Sequence, residues 1–182
     1  MIYLIRHAQK ENSLPDCGLT KNAIIESKRY VKKLLENNIK LDCIISSPIK
    51  RCIQTANEIS SVYNIEVIES NKLGDPGVFI SDDKLAMNLF EKYDLIDIIN
   101  MQLEEKNLAG FKSLKEGCLD LLNFMQEYKN LNVLMISHDA IIMPFICYFS
   151  DIKKITQKDV IGYLEGYQIL LKSNLKIKKF KL

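Results

Sequence analysis

The sequence predicts an α/β protein, a three-layer α/β/α sandwich with a mostly parallel central sheet, and two observations lead to this class. Short unbroken runs of apolar residues are typical of strands that are buried on both faces of a parallel sheet. These runs alternate with longer segments whose apolar residues recur at helical spacing, as in right-handed strand–helix–strand crossovers. The chain has no internal repeat and no linker-like stretch, so we expect residues 1–182 to form a single domain.

The first half of the chain alternates three predicted strands with two predicted helices. Met1 to Ile5 is the first apolar run. Thr20 has a side chain suited to a helix N-cap and precedes the first amphipathic segment. The second strand is predicted from Asp42 to Ser46, and Pro48 suits the first turn of the helix after it. A third strand is predicted from Ile65 to Ile68.

The second half begins with a helical stretch from Asp82 to about Glu105, which has apolar residues on one side. We expect this stretch to break in the middle and to form an insertion over the sheet. A further amphipathic helix is predicted from Leu114 to Met125. It leads into the fourth buried strand, from Asn132 to Ile136.

The last predicted elements are one helix and two strands. Residues 140–149 are predicted to be helical, with an interruption at Pro144. Gly162 to Leu171 and Leu175 to Leu182 are predicted as a terminal strand pair. This pair adds an antiparallel C-terminal strand to the otherwise parallel sheet.

The composition favours a soluble globular protein and is compatible with small acidic substrates. The 25 basic and 23 acidic residues are spread along the chain and leave a net charge of +2, so neither nucleic acid nor a membrane is expected as a partner. The five cysteines form no CxxC pair, which is typical of free thiols in a reducing compartment. No segment approaches the ~20 apolar residues of a membrane span. We therefore expect a cytoplasmic protein; the sequence gives no indication of its oligomeric state.

Residues that can carry chemistry follow the predicted strands. His7 and His138, which are both histidines of the chain, come one or two residues after the first and fourth strands. Arg6 precedes His7, Arg51 follows the second strand, and Asp75 follows the third. Because ligands of α/β sheets bind outside the carboxyl ends of the strands, we expect these side chains to share one rim.

Four sequence motifs carry a family resemblance. They are RHAQ at residues 6–9, LTKNAIIES at 19–27, SSPIKRCIQTA at 46–56 and ISHDAI at 136–141. In this order they resemble the motifs of the histidine phosphatase superfamily, branch 1, also called the phosphoglycerate mutase-like family. The resemblance spans residues 1 to about 147, and it implies the phosphoglycerate mutase-like fold.

The residues themselves suggest phosphoryl transfer without a metal or cofactor. The planar guanidinium groups of Arg6 and Arg51 can bind phosphate oxygens in pairs and spread the charge of the transition state. They should also disfavour a charged imidazole at His7, which we predict to be the nucleophile and to form a phosphohistidine. His138 is expected to donate a hydrogen bond to the transferred phosphoryl group.

The leaving alcohol needs a proton from a general acid. The family resemblance implies a carboxylic acid after the third strand in a pattern like LxE, and Asp75 of Leu73-Gly74-Asp75 occupies that place. Asp139, directly after His138, is an alternative, because the acid phosphatase branch of the superfamily uses an HD pair at this place. Glu69 is a third candidate.

The substrate side of the pocket departs from the family pattern. The glutamate and serine that follow RHG in the family are Gln9 and Lys10 here, and the asparagine of the mutases falls on Ser13, with Asn12 adjacent. Asn12, Ser13 and Asp139 are therefore candidate substrate-binding residues. The departures favour a phosphatase of a small phosphorylated metabolite or a phosphoprotein over a mutase.

Three alternatives to a phosphatase remain. One is phosphoryl transfer of the phosphoglycerate mutase type, and another is a phospho-ligand binding or regulatory module that lacks the acid. The third is a metal hydrolase with His7, His138 and nearby aspartates as ligands, which the two neighbouring arginines disfavour because they repel a cation.

Overall fold

The structure contains one six-stranded sheet with helices on both faces. It is a computed structural model that describes residues 1–12, 14, 17–172 and 174–182. The strands are β1 (Ile2–Arg6), β2 (Cys43–Ser46), β3 (Val67–Glu69), β4 (Val133–Ser137), β5 (Gly166–Leu171) and β6 (Leu175–Phe180). Their order is β3-β2-β4-β1-β5-β6, and the first four are parallel whereas β5 and β6 pair antiparallel. The predicted three-layer, mostly parallel class is confirmed.

Among the described residues, six α-helices flank the sheet. They are α1 (Lys21–Glu36), α2 (Lys50–Tyr63), α3 (Asp83–Phe90), α4 (Leu95–Leu103), α5 (Leu114–Gln126) and α6 (Asp139–Phe149). The helices α1 and α2 pack on one face, and α4, α5 and α6 pack on the other. Thr20 caps α1 as predicted, since its side chain accepts a hydrogen bond from the Ala23 amide. Within the described residues, no helix is long and apolar enough to cross a membrane.

The apolar character of β1 follows from its central position between β4 and β5. Ile2 and Leu4 pack into the core under α4, α5 and α6, whereas Tyr3 and Ile5 pack into the core under α1 and α2. Alternate side chains of a strand point to opposite faces, so a strand covered on both faces needs apolar residues throughout. Full burial of each large side chain contributes about 1.5–3 kcal/mol. The two cores together hold β1 in place.

Two expectations about prolines are wrong. Pro144 does not interrupt α6, which continues from Asp139 to Phe149. Proline removes only the hydrogen bond to the Ala140 carbonyl, and the buried surroundings of α6 keep the helix together. Pro48 lies before α2 rather than in its first turn, because Ile49 keeps the extended backbone of an N-cap.

The predicted strand from Gly162 begins only at Gly166. Residues 162–165 form a turn in which the Glu165 amide donates to the Gly162 carbonyl, at 3.3 Å. Leu164 has a φ of +58°, a left-handed conformation that no strand accommodates. This turn lies against the end of β1, where the backbone of Arg6 exchanges hydrogen bonds with Leu164 and Glu165.

Candidate active site

The two histidines of the chain lie side by side. Arg6, the last residue of β1, is the parallel-ladder partner of Ser137, the last residue of β4, so the next residues along each strand are neighbours. These are His7 and His138, whose ring centroids are 5.2 Å apart. Both are buried, and His138 is also the N-cap of α6. The positive end of the helix dipole therefore faces the site.

Arg51, in the first turn of α2, contacts both imidazoles. Its Nε donates to Nε2 of His7 at 3.1 Å, and its Nη2 lies 3.2 Å from Nδ1 of His138. A guanidinium has only donors, so both of these ring nitrogens must be acceptors. The other nitrogens then carry the protons: His7 Nδ1 donates to the Ala8 carbonyl at 2.6 Å, and His138 Nε2 donates to Ser47 Oγ at 3.0 Å. Both histidines are neutral in this arrangement.

Burial is the main reason why His7 is neutral. The pKa of His7 is lowered to about 3. Burial is the largest cause, the hydrogen bond to the Ala8 carbonyl opposes it, and the positive charges of Arg51, Arg6 and Lys10 add to the lowering. Burial also lowers the pKa of His138 well below its ordinary range, with Arg51 as the next cause. The neighbouring arginines, from which the sequence predicts a neutral His7, lower its pKa less than loss of solvation does.

These depressed pKa values should make the protein less stable in acid. The ordinary pKa of histidine is 6.5, so below that pH the unfolded chain binds protons at His7 that the folded chain does not. The contribution of the neutral His7 to the free energy of unfolding is therefore fully present above pH 6.5, and it is lost as the pH falls toward 3. We expect the pH slope of the free energy of unfolding to be shallower in His7→Gln by about 1 kcal/mol per pH unit. Urea unfolding between pH 7 and pH 4 measures both slopes, and equal slopes would contradict the prediction.

Arg6 is held by the protein on one side and keeps one donor unsatisfied. Its Nη2 forms an ion pair with Asp139 Oδ2 at 2.6 Å, and its Nη1 donates to the Ile161 carbonyl at 2.8 Å. Its Nε is buried and has no hydrogen-bond partner among the described residues. A buried donor without an acceptor is costly, and a phosphoryl oxygen would satisfy it.

Asp139 uses both carboxylate oxygens within the protein. Oδ2 binds Arg6, and Oδ1 accepts from the Ala140 amide at 3.1 Å. The side chain lies at the site, as the sequence predicts, but its contacts are those of a residue that orients Arg6.

Asp75 lies at the exposed rim, next to a glycine that touches His138. A Cβ at Gly74, which has a φ of +146°, would be 2.7 Å from His138 Cδ2, so only glycine fits there. The Ser137 hydroxyl donates to the Leu73 carbonyl at 2.7 Å and ties this loop to β4. The structure therefore brings the loop of Asp75 to the histidines.

The remaining candidates lie elsewhere or outside the described part of the chain. The contacts of Asn12 are within its own loop, where Oδ1 accepts from the Leu14 amide at 2.8 Å. Ser13 lies outside the described residues. Glu69 is the exposed last residue of β3 at the edge of the sheet. In the part of the chain that the structure describes, no group of three or more histidine, cysteine, aspartate or glutamate side chains could hold a metal ion.

Sequence reasoning missed the side chains of Ser47, Cys52 and Tyr163, which contact the pair of histidines or Arg6. Ser47 and Cys52 face His138, with Cys52 Sγ 3.4 Å from Nε2. Ser47 directly follows β2, so the rule that located the histidines could have found it. Tyr163 lies against Arg6 and His7. No sequence signal marks Tyr163, because it comes from the turn before an antiparallel strand.

Comparisons with known proteins show the family of this chain. A family model described as the histidine phosphatase superfamily (branch 1) matches residues 2–161. Phosphoserine phosphatase 1 of Hydrogenobacter thermophilus is 26% identical over 160 residues, which cover 80% of this chain and 74% of that protein.

Solved structures show the same fold. A variant of phosphoserine phosphatase from Entamoeba histolytica, in complex with phosphoserine, has a TM-score of 0.68 at 18% identity and covers 99% of this chain and 94% of its own. A mycobacterial glucosyl-3-phosphoglycerate phosphatase has a TM-score of 0.67 at 13% identity, with coverages of 92% and 88%. At these identities the likeness is one of architecture.

Proposed function

The chain belongs to the histidine phosphatase superfamily, branch 1, and from that membership we propose that it hydrolyses phosphomonoesters through a phosphohistidine on His7, without a metal ion. One observation carries the proposal: Arg51 joins two neutral, buried imidazoles, with Arg6 beside them. A tetrahedral dianion bound there would meet two guanidinium groups, the imidazole donor of His138 and a helix N-terminus.

In the first step, the lone pair of His7 Nε2 attacks phosphorus. Arg51 transfers its hydrogen bond from Nε2 to a phosphoryl oxygen, which frees the lone pair and neutralises charge on the oxygens. The bond from phosphorus to the alcohol oxygen breaks in line, and a general acid protonates that oxygen. The imidazole becomes positively charged, and its Nδ1–H remains bound to the Ala8 carbonyl.

In the second step, water attacks phosphorus from the side that the alcohol has left. The residue that gave its proton to the alcohol now takes one from the water. The bond between phosphorus and Nε2 breaks, the electron pair returns to His7, and inorganic phosphate leaves. Burial of His7 favours this return to the neutral imidazole.

We assign the general acid to Asp75. It lies on the exposed rim beside Gly74, which touches His138. Asp139 is less suited, because both of its carboxylate oxygens are bound to other groups of the protein. Glu69 is at the exposed edge of the sheet.

Asp75→Asn should slow esters of poor leaving groups selectively. We expect an alkyl phosphate such as phosphoserine to be hydrolysed about 100-fold more slowly, because its alkoxide cannot leave without a proton. Hydrolysis of p-nitrophenyl phosphate should fall by less than about fivefold, since nitrophenolate leaves unaided. The measurement is kcat on both esters with each protein.

Two matched carboxylate variants serve as controls. Asp139→Asn should slow both esters to a similar extent, because it loosens Arg6 and not the leaving group. Glu69→Gln should resemble the wild type. If instead Asp139→Asn slowed mainly the alkyl phosphate, and Asp75→Asn slowed both esters equally, the general acid would be Asp139.

The substrate we propose is a small phosphorylated metabolite. Relatives that are named for phosphoserine and glucosyl-3-phosphoglycerate support this class, and Lys10, close enough to lower the pKa of His7, adds positive charge. The test is release of inorganic phosphate from a panel of phosphorylated metabolites, with phosphoserine and 3-phosphoglycerate included. Isomerised product would favour the mutase alternative, and vanadate binding without hydrolysis would favour the binding module.

We propose that the protein acts in the cytoplasm. Its five cysteines are free and buried, as suits a reducing compartment.

A further inference from the structure

Tyr163 lies at the candidate site but outside the residues that carry the family resemblance. The family model ends at residue 161, and Tyr163 is in the turn that follows, before β5. About a third of the residue, 36%, is exposed to solvent. Its ring covers part of the rim of the site.

The turn that carries Tyr163 is bound to the backbone of Arg6 itself. The amide of Leu164 donates to the Arg6 carbonyl at 3.1 Å, and the Arg6 amide donates to the Glu165 carbonyl at 2.9 Å. The Leu164 side chain packs against the cluster that contains Ala8, the residue after the proposed nucleophile. Tyr163 is therefore positioned by the same strand end that positions Arg6 and His7.

The ring of Tyr163 contacts both functional side chains. Arg6 Cζ is 4.5 Å from the ring centroid, which is the geometry of a cation–π contact. The His7 ring centroid is 5.8 Å away, with the ring planes tilted by 47°. Asp139 and the Ile161 carbonyl hold two nitrogens of the guanidinium, and Tyr163 covers its face.

We propose that Tyr163 is a positioning residue that holds the Arg6 guanidinium in place for the phosphoryl group. The proposal rests on the proposed function of this site. The ring makes the contacts with Arg6 and His7, so the hydroxyl is not needed. Loss of the ring releases one face of a guanidinium whose buried Nε has no hydrogen-bond partner among the described residues.

The first experiment compares Tyr163→Leu with Tyr163→Phe. On p-nitrophenyl phosphate, Tyr163→Leu should lower kcat/KM roughly tenfold and weaken the binding of inorganic phosphate to a similar extent. Tyr163→Phe keeps the ring, so its kcat/KM and its affinity for inorganic phosphate should both stay within twofold of the wild type. Tyr93→Leu, at an exposed tyrosine between α3 and α4, is the matched control and should have no effect. Thermal unfolding reports whether each variant is folded.

The second experiment asks whether Tyr163 acts through Arg6. In an Arg6→Gln background, Tyr163→Leu should change kcat/KM by less than twofold, because there is no guanidinium to hold. A full tenfold loss in that background would overturn the proposal, as would a folded Tyr163→Leu with wild-type kinetics. Equal losses in the Phe and Leu variants would also overturn it, since the role would then belong to the hydroxyl.

Inorganic phosphate separates this proposal from the proposed function. If the wild type bound phosphate in calorimetry but hydrolysed no ester, the proposed phosphatase activity would be refuted. The role of Tyr163 could still be tested by comparing phosphate binding in the wild type and in Tyr163→Leu. A Tyr163→Leu variant that binds phosphate as tightly as an active wild type would refute only the role of Tyr163.

Discussion

Replacing His7 with alanine should lower the turnover of p-nitrophenyl phosphate by a factor on the order of 10⁵, with the fold intact. The structure gives His7 an Nε2 lone pair, a proton fixed on Nδ1 and a pKa of about 3, so it is a neutral nucleophile throughout the physiological range. Inorganic phosphate should still bind, because Arg6, Arg51 and His138 remain. The measurement is steady-state turnover, with phosphate binding by calorimetry.

The covalent intermediate gives an independent test of the same residue. Rapid quenching of the wild type during turnover of a radiolabelled ester should yield a labelled protein that is stable in base and labile in acid, as expected of a phosphorus–nitrogen bond. His7→Ala should yield none. Undiminished turnover in His7→Ala, or label retained in it, would exclude His7 as the nucleophile.

Replacing Arg51 should have the second largest effect. Arg51→Ala should lower kcat/KM by a factor on the order of 10³, because one guanidinium orients both imidazoles and then binds the charged oxygens. Arg51→Lys keeps the charge but loses the planar fork that reaches two histidines at once. We expect it to recover only a small part of the lost activity, about tenfold.

A surface arginine provides the control for this pair of variants. Arg29 is exposed on α1, and Arg29→Ala should leave kcat/KM unchanged. The pH dependence of stability should also change in Arg51→Ala, since the positive charge that lowers the pKa of both histidines is gone. Full activity in Arg51→Lys would show that only charge, and not geometry, is required at this position.

Much of the fold can be predicted from local patterns in this sequence. The runs that form β1, β2 and β4 are apolar throughout because both faces of the sheet are covered, and the spacing of apolar residues in α1 and α5 reflects burial of one face. Side chains that directly follow parallel strands lie at the same edge of the sheet, at the carboxyl ends of the strands. Once the strands are recognised, the closeness of His7 and His138 therefore also follows from the sequence.

The ends of elements depend on contacts that the sequence pattern does not show. Pro144 is tolerated inside α6 because residues 141–147 of this helix are buried, and their packing compensates for the lost hydrogen bond. An isolated helix would lose this hydrogen bond without compensation. The segment from Gly162 resembles a strand in composition, but the left-handed Leu164 makes it a turn.

The sequence by itself determined the order of strands and helices, the cores on the two faces of the sheet, and the rim at which two histidines and two arginines meet. Only the tertiary structure decided what each group does there. Desolvation depends on everything packed around a side chain, which is why burial, and not the neighbouring arginines, is the main reason that His7 is neutral. Asp139 pairs with Arg6 because β4 lies parallel to β1, so that α6 begins beside the end of β1. Tyr163 lies over the same guanidinium because β5 pairs antiparallel with β1 and brings a distant turn to this end of the strand.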